Sequence, residues 1–74
     1  MPLKSIESGK LVVLKDINWG MKLRKKLEDM GLTPGVRFKV VSGEDFGPCI
    51  IEVRGTRLAL GRNIVSKIQV DEII

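Results

Sequence analysis

With 74 residues, one cysteine and no histidine, the chain has the length of one small domain and offers neither a disulfide framework nor an imidazole for metal or acid–base chemistry. Its formal charge of +4 suits nucleic acid, anionic lipid or an acidic protein face, and ordinary solubility explains it equally well. No apolar run approaches the roughly 20 residues of a membrane span, and Met1–Glu7 lacks the apolar core of a signal peptide, so a cytoplasmic protein with no direct membrane insertion is expected.

Leu3 and Ile6 precede the turn signal Ser8-Gly9 and predict an arm or single turn tucked against the body. Leu11–Ile17, β-branched in its middle, predicts the first strand. Asn18-Trp19-Gly20 leads into a helix over 20–30, with Asn18 or Gly20 as N-cap. Leu23, Leu27 and Met30 stand at i, i+4 and i+7 and predict its buried face, capping an open barrel end. Gly31 follows as a C′ glycine. Leu32 and Leu27 then fall at the two positions whose side chains touch in a Schellman ending. Pro34-Gly35 makes a turn.

Strands are expected over 36–42, 49–54, 56–60 and 67–70, with the tail Asp71–Ile74 available to extend the last. Residues 42–48, dense in turn formers and acids, form a loop. Gly55 marks a tight hairpin, and residues 61–66 a single turn. The architecture implied is mainly β: one domain over 1–74, about five short strands in a strongly bent sheet, and one short helix between the first two. Closure as a barrel would remove exposed sheet edges.

Catalytic chemistry is missing. There is no phosphate-binding loop and no dinucleotide fingerprint. Glu28-Asp29, Glu44-Asp45 and Asp71-Glu72 are sequence neighbours that point apart, so none is a natural dyad. Cys49 alternates with Ile51 and Val53 and reads as a packed thiol. No enzyme activity is expected.

Lys22, Arg24, Lys25 and Lys26 occupy the first half of the helix, with Glu28 and Asp29 near its end, so both groups oppose the macrodipole. The pairs Arg24–Glu28 and Lys25–Asp29 offset part of this in the weaker orientation. A helix whose charges do not serve its own stability suits a docking surface as well as a solvated face. Trp19 at the strand-to-helix junction fits a barrel plug and an exposed anchor equally.

Leu27-x-x-Met30-Gly31-Leu32-x-Pro34-Gly35, then Gly47-Pro48 before a strand, Leu58-Ala59-Leu60-Gly61-Arg62 and Ile68-Gln69-Val70 together resemble the FeoA family, small SH3-like domains of ferrous iron uptake. The resemblance runs from about Leu11 to Val70. Bulky Val65 departs from it, standing where a small residue is expected. The resemblance implies a small SH3-like barrel acting as a cytosolic accessory protein on FeoB, a membrane transporter with a GTPase domain.

The partner-binding residues expected are Trp19, Lys22, Lys25 and Lys26. Leu23, Leu27, Gly31, Pro34 and Gly35 are the structural ones. The residues imply no firm cofactor; weak binding of a divalent metal such as iron, and a homodimer, stay open. Two alternatives remain. One is a nucleic-acid-binding barrel, disfavoured because only Trp19, Phe38 and Phe46 could stack on bases. The other is a stand-alone metal-sensing domain like the C-terminal domain of diphtheria-toxin-repressor-type regulators.

Overall fold

The computed structural model describes residues 1–18, 20–43 and 48–73. Its strands are β1 (Leu11–Ile17), β2 (Arg37–Ser42), β3 (Cys49–Val53), β4 (Thr56–Leu60) and β5 (Ile68–Glu72). Helix α1 (Met21–Asp29) lies between β1 and β2, and the one-turn helix α2 (Arg62–Val65) between β4 and β5. A 3-10 turn, Leu3–Ser5, precedes β1, and both Leu3 and Ile6 are buried.

The five strands form one antiparallel sheet in the order β4-β3-β2-β1-β5. Period-2 alternation puts Cys49, Ile51 and Val53 of β3 in the core and leaves Ile50 and Glu52 partly exposed. In β1 the buried residues are Val12 and Leu14, then Ile17, out of phase by one. A bulge between Leu14 and Asp16 inserts the extra residue that turns Ile17 inward. A second register shift lies between Val40 and Ser42 of β2. All five strands, α1 and the N-terminal turn supply one apolar cluster. A single sheet can feed one cluster in this way only by curling around it.

Among the described residues no pairing joins β4 to β5, so the expectation that closure of the barrel removes the sheet edges is corrected. The N-terminal arm already takes the outer edge of β5. Pro2 bridges Gln69, the Val70 N–H donates to the Met1 carbonyl at 2.7 Å, and the Met1 ammonium donates to the Val70 carbonyl at 3.0 Å. Among the described residues β4 pairs only with β3, leaving its other edge open.

Helix α1 ends as its sequence dictates. Gly31 has φ +103°, a conformation that disfavours any residue with a Cβ. The Leu32 N–H donates to the Leu27 carbonyl and the Gly31 N–H to the Glu28 carbonyl, each at 2.9 Å. These are the two bonds of a Schellman motif, and both Leu27 and Leu32 are buried. The inward face differs from expectation. Leu27 is in the core, Leu23 is half-buried against it, and Met30 is 39% exposed. The reversal at Gly31 turns the chain back so that Leu32 joins Leu27 in the core, while Met30 stays at the surface.

Candidate partner-binding site

Helix α1 begins at Gly20, whose φ of −61° and ψ of 160° are those of an N-cap, with no side chain capping the first turn. Gly20 therefore takes the role left open between it and Asn18. Asn18 instead donates its N–H to the Lys67 carbonyl at 2.7 Å, tying the end of β1 to the residue before β5. Lys22, Lys25, Lys26 and Asp29 follow one another at i, i+3, i+4 and i+7, and all are exposed. This solvent face runs for about 10 Å at 1.5 Å per residue.

Its electrostatics are bipolar. Lys22 sits in the first turn, where the macrodipole contributes about half a positive charge, whereas Lys26 falls in the last turn, so the expectation that the whole basic run occupies the first half of the helix is corrected. Glu28 and Asp29 sit at the opposite end. No acidic residue lies in the first turn to neutralise the positive pole. Arg24 reaches across to Asp16 of β1 at 3.5 Å, with both side chains about half exposed, so this pair orients α1 more than it stabilises it. The anticipated pairs Arg24–Glu28 and Lys25–Asp29 are not among the ion pairs of the described residues. Lys25 and its neighbours are thus not drawn into helix-internal pairs.

Beside the lysine row, Met21, Arg24, Lys25 and Glu28 line a shallow open depression of about 480 Å³. Met21 is 86% exposed. The sequence reading missed this apolar side chain. Its signal was present: Met21 stands two residues before Leu23, out of phase with Leu23 and Leu27, and so had to point outward. Trp19 lies outside the described residues. Pro34 and Gly35 form an exposed turn, anchored where the Gly35 N–H donates to the Leu14 carbonyl at 2.8 Å.

Metal-binding chemistry is sparse. Among the described residues no three His, Cys, Asp or Glu side chains gather where they could hold an ion. Cys49 is buried, and burial pushes its thiol pKa up, away from the thiolate that binds metals. Nor does any helix of the described residues have the length and apolarity to cross a membrane.

Comparison with known proteins places this geometry in context. The FeoA domain family matches residues 1–72. A Methanocaldococcus jannaschii protein named "Putative Fe(2+) transport protein A" is 34% identical over 71 residues, spanning 96% of this chain and 85% of that protein. A crystal structure of an iron uptake regulatory protein, FeoA, superposes with a TM-score of 0.90 at 34% identity, covering 99% of this chain and 97% of that one. The zinc-complexed FeoA of Stenotrophomonas maltophilia, described as a procaryotic SH3 domain protein, gives a TM-score of 0.81 at 20% identity over 96% of this chain and 89% of that one. At that identity the likeness establishes the SH3-like fold.

Proposed function

We propose, on the premise that this chain belongs to the FeoA family, that it is a cytosolic accessory protein of ferrous iron uptake that binds the cytosolic part of a FeoB-type transporter. The observation that carries this reading is the family match, which extends over residues 1–72 and so takes in α1 with its exposed lysines. In this reading Lys22, Lys25 and Lys26 steer encounter with an acidic surface, while Trp19 and Met21 supply apolar contact. Charge complementarity of this kind raises association rates and fixes orientation, and a buried aromatic anchor sets the lifetime of the complex.

The protein acts by binding and has no catalytic step of its own. In this reading iron is the cargo of the transport system, and among the described residues no three His, Cys, Asp or Glu side chains gather where they could hold an ion. Nucleic acid is disfavoured as the partner, because Trp19, Phe38 and Phe46 are the only aromatic residues of the sequence that could stack on bases, and Phe38 is buried in the core.

The test is calorimetric titration of this chain with the isolated GTPase portion of the FeoB transporter from the same organism. Binding in the micromolar range, near −8 kcal/mol, is expected, weakened when Lys22, Lys25 and Lys26 are replaced together by Ala. Absence of binding at roughly 100 μM, with and without guanine nucleotide, would remove the transporter's GTPase portion as the partner.

A further inference from the structure

We propose that the outer edge of β4 accepts an extended segment of a partner protein by strand addition, and that the segment alternates acidic with apolar residues. The hairpin between β3 and β4 fixes which groups are available. Arg54 and Gly55 both have positive φ, 51° and 79°, and Val53 faces Thr56 across them, so they form a two-residue type I′ turn. In such a turn the Thr56 N–H bonds back to the Val53 carbonyl. Alternation along an antiparallel ladder then aims the main-chain groups of Thr56, Leu58 and Leu60 at β3. The N–H and C=O of Arg57 and Ala59 point away from the sheet. Neither residue has any other hydrogen bond among the described residues, and both are exposed.

The side chains define the occupant. Arg57 is exposed within β4, and Arg54 and Arg62 are exposed in the turn before it and the helix after it. Glu52 meets Arg57 at 3.7 Å in a pair so exposed that it leaves the guanidinium open to a second carboxylate. On the inner face, Leu58 is half-buried and packs on the core, with one flank left at the edge. An added strand would therefore set carboxylates beside Arg57 and apolar side chains beside Leu58, as cross-strand pairing favours. A second copy of this chain fits less well. Antiparallel β4–β4 pairing centred on Leu58 opposes Arg54 to Arg62, and centring on Arg57 opposes that residue to itself. The edge of β5 offers no equivalent, because the N-terminal arm covers it. This surface shares no residue with the lysine face of α1, and the inference stands whether or not that face binds a transporter.

The test uses the isotopically labelled full chain and a synthetic peptide alternating Glu with Val over six residues, with a Lys-for-Glu counterpart. At saturation the acidic peptide should slow amide hydrogen exchange at Arg57 and Ala59 by about tenfold or more, leaving α1 amides unchanged, and the basic peptide should do neither. Ala59→Pro removes an outward N–H without touching the β3 ladder and should abolish binding. Arg57→Glu should weaken the acidic peptide by roughly threefold to tenfold, and it carries the test should the proline variant not fold. Four results would overturn the proposal. They are no binding at about 1 mM peptide, shifts confined to the α1 lysines, protection that rises with protein concentration alone, and a folded Ala59→Pro chain that binds as before.

Discussion

Gly31 determines where α1 stops, and its contribution is conformational. Its φ is +103°, and a Cβ built on it meets nothing within 4 Å, so a substitution there strains the backbone without a steric clash. Gly31→Ala should therefore lower stability by roughly 1–2 kcal/mol, the left-handed penalty alone. Gly31→Asn should cost less, since asparagine tolerates that region. Thermal unfolding of the two variants checks this, and equal melting temperatures would refute it. Leu27 and Met30 make a second contrast one turn apart. Leu27 is 2% exposed and Met30 39%, so Leu27→Ala should cost about 2–5 kcal/mol while Met30→Ala stays within about 0.5 kcal/mol. Chemical denaturation midpoints at fixed pH separate these outcomes. A large loss at Met30 would show that it does belong to the capping face that its spacing suggests.

At the level of elements, what could be read in advance was whatever local chemistry decides. The strand of β3, the hairpin at Gly55 and the helix stop each rest on residues adjacent in sequence and lie where the pattern predicts, except that Arg54, expected in the strand, takes the first turn position with a φ of 51°. The bulge in β1 was less visible. Its only trace is that Leu14 and Ile17 are both apolar three residues apart, which breaks period 2 without saying whether the strand ends or slips. The placement of Arg24 was missed for a different reason. Its partner Asp16 is eight positions away on another element, beyond any i, i+4 rule. The lysine row was legible by spacing alone, whereas Trp19 falls outside the described residues and its role rests on the sequence.

The charges of α1 lead to a prediction at the same level. Lys22 is exposed in the first turn, at the positive end of a helix with no acidic residue there. Lys22→Glu should raise stability by about 0.3–1 kcal/mol at low salt and weaken binding to the transporter's GTPase portion in the same variant. Unfolding curves and titrations of one preparation measure both. A variant that loses stability, or gains it with unchanged binding, would show that the lysine is not retained for docking.

For the molecule as a whole, the curled sheet leaves two regions with unmet potential, on different elements. One is the open edge of β4, where the outward main-chain groups of Arg57 and Ala59 lack partners among the described residues. The other is the α1 face, where Lys22 adds to the helix's positive pole and Lys25 and Lys26 extend the exposed basic row. They call for different kinds of contact. Edge pairing depends on short-range main-chain hydrogen bonds with carboxylates set beside Arg57, whereas steering by α1 acts over a Debye length of about 10 Å at 0.1 M salt. If α1 is the transporter-docking face, the association rate should fall as salt rises from about 0.05 to 0.5 M while dissociation changes little. Replacing Lys22, Lys25 and Lys26 by Ala should slow association and flatten its salt dependence. Trp19→Ala should act mainly on dissociation, raising the free energy of binding by more than ~1 kcal/mol with the melting temperature unchanged. Stopped-flow association and displacement kinetics against the GTPase portion separate the two effects. Salt-independent association in the wild type, or a triple variant that associates as fast as the parent, would move the docking site off α1.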